Sequence, residues 1–240
     1  MIDKRSLILF ILCLFFALEG SAQKLYLVSV GISDYPGAAN DLILPVKDAS
    51  AIYELYRKNK NAELVLLTDK QATREAILSK ARDLFQKANK QDIVILFFSG
   101  HGYPGGLVAY DKYLSNNDIR NLFSHCKARN KMVFADACYA GDLRERKRVA
   151  APDPGNSVML FLSSRDNEVS IENPRMKNGI FTACLLRCLK GGADANRDRV
   201  ITAKELFDAV SKGVQKLSGG RQHPVMWGNF DDDMPVMIWK

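Results

Sequence analysis

The chain has 240 residues, 47% hydrophobic and 25% charged, with 34 basic against 27 acidic side chains for a net charge of +7. Composition at the globular average excludes intrinsic disorder, collagen and long coiled coil, and five cysteines are too few for a disulfide scaffold of this length. The positive balance permits an acidic partner, but no Lys/Arg stripe interleaved with aromatics is present, so no nucleic-acid partner is expected.

Residues 1–22 read as an export signal outside the fold. Lys4 and Arg5 precede an apolar run over 7–18, and Gly20-Ser21-Ala22 supplies small residues at a cleavage point. That run makes about 18 Å of helix, short of a bilayer core of roughly 30 Å. The expected location is periplasmic or extracellular if the source is bacterial, with no stable membrane span after signal removal.

Beyond it, strands and helices alternate. Residues 24–30 form a buried-strand run ending at Gly31, and a helix is expected over 47–58 through Ala49, Ile52, Leu55 and Tyr56. A short strand follows at 63–67, then a helix over 74–88 through Ile77, Leu78, Ala81, Leu84 and Phe85. Residues 93–98 are wholly apolar, as in a central strand covered on both faces. Ser115 and Asp118 make a capping-box pattern before Ile119, Leu122 and Phe123. Residues 132–135 and 158–162 are further strands, 179–189 and 202–217 helices, and 235–239 a last strand. Cys184 and Cys188 share a face of the first of these helices and read as small core residues. Regular alternation without repeats or a Pro/Gly/Ser-rich linker predicts one α/β domain of three layers on a mostly parallel sheet.

Ligands in such sheets bind beyond the carboxyl ends of the strands, where two central strands end in reactive chemistry. Residues 93–98 run into Ser99-Gly100-His101-Gly102, and 132–135 into Asp136-Ala137-Cys138-Tyr139-Ala140-Gly141. A histidine and a cysteine at adjacent strand ends meet the requirement of a thiol nucleophile and its base.

These paired motifs resemble the signature of the caspase-like cysteine peptidases (family C14, clan CD), nearest the bacterial metacaspase or orthocaspase branch. Val30-Gly31-Ile32-Ser33-Asp34-Tyr35 resembles the family's first-strand motif, and Asn178-Gly179-Ile180-Phe181-Thr182 its later helix motif. The resemblance implies a caspase-type α/β/α sandwich, with a large-subunit-like part over 23–143, a basic linker over 144–156 and a small-subunit-like part over 157–240. It departs from caspases in having Asp136 where they carry Gln. The separation of 37 residues between His101 and Cys138 is also shorter than the roughly 50 of caspases. Residues 107–113 read as a small hairpin in the trimmed connection.

The resemblance assigns roles. Cys138 is the nucleophile, His101 the proton-transfer partner, and the N–H groups of Gly102 and Cys138 the oxyanion donors. The positions matching the family's pocket for P1, the residue before the scissile bond, are Asp34, Ser99 and Asp136. Carboxylates there reject an acidic side chain and pair with guanidinium, so the expected partner is a protein or peptide with Arg or Lys at P1. Asp34 also reads as a turn residue before Pro36, and Asp136 as a strand-end cap. No residue orienting His101 can be named.

Arg144-Glu145-Arg146-Lys147-Arg148 falls where the family has its maturation loop, so self-cleavage near Lys147 and Arg148 competes with a solvated charge run. Residues 194–205 fit a twelve-residue calcium loop through Asp194, Asn196, Asp198, the Val200 carbonyl and Glu205. Against this, Arg199 stands where the loop normally has Gly, and Thr202 with Glu205 forms a capping box without any ion. No cofactor is required by this reading, and a monomer is expected. Two other functions stay open: a catalytically silent binding protein on the same fold, and a thiol hydrolase acting on small molecules.

Overall fold

The computed structural model describes residues 23–137, 158–164, 176–228 and 230–238. The expected export segment, Cys138, and the basic linker with Lys147 and Arg148 lie outside the described residues.

The main sheet is built from β1 (Leu25–Gly31), β2 (Ala62–Thr68) and β3 (Ile93–Ser99), then β7 (Asn130–Asp136), β8 (Met159–Leu162) and β10 (Val225–Trp227). Between β3 and β7 the chain inserts a small antiparallel sheet of β4 (Gly102–Tyr103), β5 (Gly106–Val108) and β6 (Tyr113–Ser115). The hairpin expected over 107–113 is the β5–β6 part of this insert. The main-sheet order is β10-β8-β7-β3-β1-β2. Its strands are parallel except β10, which runs antiparallel to β8.

All seven residues of both β1 and β3 are buried, which is why their sequences are continuous apolar runs rather than alternating ones. Helices α2 (Arg74–Phe85) and α3 (Asn116–Ser124) cover the sheet face carrying Tyr26, Val28, Leu96 and Phe98. The opposite face, with Leu27, Ile95, Phe97 and Phe134, is covered by α1 (Pro45–Tyr56), α4 (Ile180–Arg187) and α5 (Ala203–Ser218). The result is the expected three-layer α/β/α sandwich.

Local signals account for the helix starts. The Ser115–Asp118 and Thr202–Glu205 capping boxes both form, each such cap being worth roughly 0.5–2 kcal/mol. The helix expected over 179–189 ends sooner, at Arg187. A wider, kinked turn over Cys188–Gly192 follows, with Gly191 at φ 103°. Cys184 and Cys188 are each 1% exposed, in the core as expected. The last strand, β11 (Pro235–Ile238), pairs with β9 (Val200–Thr202) in a separate ribbon. Strands β9 and β10 went unpredicted because three residues give no period to read.

The topology sets the site. β3 lies between β1 and β7, with Gly31 opposite Ser99 and Ser99 opposite Asp136. Three central strands therefore finish in one row at their carboxyl edge. Among the described residues, no helix is long and apolar enough to cross a membrane.

Candidate active site

His101 leaves β3 through Gly100, and its ring is held by neighbours that have nothing to do with its own strand. Its Nε2 lies 2.7 Å from the carbonyl oxygen of Asn40, at the end of a short 3₁₀ turn over Ala38–Asn40. A carbonyl only accepts, so Nε2 carries the hydrogen and Nδ1 is the basic nitrogen. The Tyr35 ring packs against the imidazole at 4.7 Å between centroids. The Tyr35 hydroxyl accepts the His101 backbone N–H at 3.0 Å and donates to the Val108 carbonyl at 2.9 Å. This approach requires Gly100, where a Cβ would stand 2.6 Å from the Tyr35 oxygen. Burial pushes the Tyr35 phenol above its ordinary range, so it stays neutral and serves as a fixed donor and acceptor. A cleft of about 710 Å³ opens at His101, bordered by Gly102, Tyr103, Tyr110 and Tyr113.

The end of β7 is pinned just before Cys138. Ser163 Oγ accepts from Ala137 N–H and donates to Ala137 O, both at 3.1 Å, and Gln222 Nε2 donates to the Ser163 carbonyl at 2.9 Å. Ser163 and Gln222 are fully buried. The backbone of Ala137 is thereby held by polar contacts from residues that follow β8 and α5.

Asp136 is 7% exposed and turned onto the first turn of α4. Its Oδ2 accepts the Thr182 N–H at 3.2 Å and the Thr182 hydroxyl at 2.8 Å. An ionised carboxylate is favoured there by the free amides of a helix N-terminus. The strand-end cap expected as the alternative role of Asp136 is thus made to a helix of the other half of the chain.

A second buried carboxylate stands beside it. Asp48, in the first turn of α1 and 1% exposed, accepts Ser99 Oγ–H at 3.0 Å, Asn178 Nδ2 at 2.9 Å and Gly179 N–H at 3.0 Å. Gly179 fits between the two acids: a Cβ there would lie 2.6 Å from Asp136 Oδ2 and 3.2 Å from Asp48 Oδ2. Loss of hydration on burial, then the neighbouring charge of Asp136, push the Asp48 carboxyl up to about 7 despite the three donors.

Of the expected P1 residues, Ser99 and Asp136 are buried neighbours at the strand ends, while Asp34 is exposed in the turn after β1. The N–H groups of Ser33 and Asp34 both donate to Asp69 Oδ1, at 2.8 and 2.9 Å, so that turn is held from the loop after β2. Gly102 begins β4 and borders the His101 cleft. Its proposed oxyanion partner, Cys138, lies outside the described residues.

Asp48, Tyr35, Asn40 and Ser163 were not singled out from sequence. Asp48 carried a signal, since it stands at i, i+4 and i+7 with Ile52 and Leu55 and so belongs to the apolar stripe of α1. Asn40 carried none, because it acts through its backbone carbonyl.

The calcium-loop residues are brought together differently. Asp194 Oδ2 accepts from Arg199 N–H, Asn196 Oδ1 from Asp198 N–H, and Asp198 Oδ1 from Val200 N–H. Glu205 accepts from Ala195 N–H with one oxygen and closes the Thr202 capping box with the other. Arg197 and Arg199 sit at φ 63° and 68°. Among the described residues, no group of three or more His, Cys, Asp or Glu side chains converges as a metal site.

No curated protein matches the chain. Among solved structures, protein GSU0716 from Geobacter sulfurreducens superposes with a TM-score of 0.68 at 18% identity, over 90% of this chain and 100% of that one, a likeness of fold. The caspase domain of the C14 peptidases matches residues 26–234, nearly the whole of the described fold and both strand ends that form the site. The chain belongs to the caspase-domain family of cysteine peptidases.

Proposed function

We propose that the protein is an exported cysteine endopeptidase that cleaves after Arg or Lys. The observation that carries the P1 preference is the buried carboxylate of Asp136, side by side with Ser99 at the strand ends and backed by Asp48. Acidic P1 side chains meet like charge there, whereas a guanidinium or ammonium is attracted to a buried carboxylate and pairs with it through charge-assisted hydrogen bonds.

In this reading the Cys138 thiol gives its proton to the basic Nδ1 of His101, and the thiolate sulfur attacks the P1 carbonyl carbon. The oxyanion is held by the N–H groups of Gly102 and Cys138. The carbon–nitrogen bond then breaks, with the imidazolium proton passing to the departing amine. Water hydrolyses the thioester to release the carboxyl product and restore the thiol. Proton transfer of this kind contributes about 10²–10⁴-fold and one oxyanion donor roughly 10²–10³. The Asn40 carbonyl fixes the tautomer that the first step needs.

A peptide panel varied only at P1 tests the reading: Arg and Lys substrates are cut, Asp substrates are not, and Cys138→Ala cuts nothing. Cleavage after Asp, or Arg cleavage that survives Cys138→Ala, overturns it. The basic stretch over 144–148 makes self-cleavage near Lys147 or Arg148 part of the same proposal. Wild-type protein splits into two pieces there while Cys138→Ala stays whole, and identical gel patterns would remove the self-processing step.

A further inference from the structure

We infer that the protein carries a second binding site, at the end of the sheet opposite His101, for a small amphipathic carboxylate such as a medium-chain fatty acid. The inference is independent of the basic-P1 reading.

A cavity of about 570 Å³ lies where β1 and β3 begin, a volume within the roughly 300–1,000 Å³ of small-ligand sites. Both strands run seven residues from there before reaching Gly31 and Ser99 at the candidate active site. At about 3.3 Å per residue that is a separation of roughly 20 Å. The cavity and the cleft at His101 share no lining residue.

Its walls divide by chemistry. Leu25 and Ile93, the first residues of their strands, meet Leu55 from the last turn of α1 and Val236 and Met237 from β11. All five belong to the core beneath this sheet face, and Val236 is fully buried. A bilayer surface touches only what protrudes, so a floor this deep suits one discrete ligand. Around it stand Lys24, Lys58, Lys60 and Lys190, exposed and drawn from three separate stretches of chain. No described residue lining the cavity is acidic. Cations gathered at an apolar hollow attract an anion with an apolar body. An inorganic anion would leave the floor unused, and a neutral hydrocarbon the rim.

Tyr56 narrows the anion to a carboxylate. It lines the same cavity, two and four residues before Lys58 and Lys60. Its hydroxyl is buried and has no hydrogen-bond partner among the described residues. Buried hydroxyls are ordinarily paired. A carboxylate accepts several hydrogen bonds at once, so it can take this donor together with an ammonium.

Calorimetry with sodium decanoate, below micelle-forming concentration, tests this on the purified Cys138→Ala chain, so that self-cleavage does not intrude. Saturable binding at one site is expected. Hexanoate is expected to bind at least tenfold more weakly, since each methylene buried is worth about fourfold in affinity. Decylamine, with the same tail and the opposite charge, is also expected to be at least tenfold weaker. Lys58→Glu with Lys60→Glu, both at exposed positions, is expected to lower decanoate affinity at least tenfold. Tyr56→Phe is expected to lower it several-fold while the ligand-free melting temperature holds or rises, because no hydrogen bond is lost; a merely structural tyrosine would lower the melting temperature instead. Adding His101→Ala is expected to leave binding unchanged. Absence of saturable decanoate binding overturns the inference, as does equal binding of decylamine. So does affinity undiminished by the lysine pair or by Tyr56→Phe, and so does loss of binding with His101→Ala, which would put the ligand in the other cleft. Sedimentation with phosphatidylglycerol vesicles without decanoate binding would overturn it in favour of a lipid surface.

Discussion

Two regions of this molecule gather acidic side chains within a short span of space, and they treat them in opposite ways. At the strand ends, Asp48 and Asp136 are 1% and 7% exposed and converge from different elements on Gly179. In the turn over 194–205 the acids come from one continuous stretch, and one oxygen each of Asp194 and Asp198 accepts from the loop's own amides. The first arrangement holds charge against its tendency to be neutralised. The second relieves it locally, with solvent nearby. Sequence pattern alone ranks the loop as the more conspicuous acidic feature, yet burial gives the strand ends their chemical leverage, because Coulomb interactions weaken steeply with hydration.

The sharpest break of this comparison is Asp136→Asn. If Asp136 provides the countercharge for P1, kcat/KM for an arginyl peptide falls by roughly 10²–10³, the usual consequence of removing one partner of a buried charge pair. Folded protein with undiminished Arg cleavage would move Asp136 from recognition to helix capping alone.

Next comes Asp48→Asn, read as stability rather than binding. The folded carboxyl at about 7 lies above the ordinary value of about 4. A raised carboxyl gives stability that is present below the unfolded value and lost as pH climbs through the folded one. Wild type therefore loses stability between about pH 4 and pH 7, and the variant does not. At pH 8 the variant is expected to be more stable, by on the order of 2–4 kcal/mol less whatever the altered hydrogen bonds remove. At pH 5 the two should nearly coincide. Thermal melts at both pH values check this, and a larger gap at pH 5 than at pH 8 would contradict the burial argument.

Gly179→Ala probes the same convergence by shape. Its backbone at φ −54° admits any residue, so the effect isolates the added methyl group, 2.6 Å from Asp136 Oδ2. Overpacking of this kind destabilises by about 1–3 kcal/mol. A melt shows the loss, and unchanged stability would mean the two acids can separate freely.

How much of this was legible in the sequence follows from where each contact originates. The apolar runs of β1 and β3 announce buried central strands because both faces are covered, and His101 is legible because it follows such a run directly. The orientation of its ring is not, since it depends on the carbonyl of Asn40, sixty-one residues earlier, whose side chain is irrelevant. Asp48 and Asp136 lie on different elements far apart in sequence and meet only because α1 and α4 pack on the same sheet face. The calcium pattern was legible as a string of oxygen-bearing residues, but a string does not say whether its oxygens point inward at an ion or at neighbouring amides. Where distant elements supply the partners, composition and spacing name the candidates and only the packing says which of them touch.

The smallest effect is expected in the loop itself, at Arg199→Gly. Arg199 lies at φ 68°, a conformation that is unfavourable for a residue with a Cβ by roughly 1–2 kcal/mol and nearly free for glycine. Its backbone N–H, which glycine retains, donates to Asp194 Oδ2. The substitution therefore removes strain without touching the contacts that close the turn, and glycine's greater freedom in the unfolded chain offsets part of the gain. The net change expected is a stabilisation of about 0.5–1 kcal/mol, the same in calcium as in chelator, because the loop is held by its own amides. Thermal melts in both conditions decide it. A melting temperature that rises with calcium in wild type, and rises further in Arg199→Gly, would mean the acids turn toward an ion after all, and the contrast between the two acidic regions would narrow to one of burial alone.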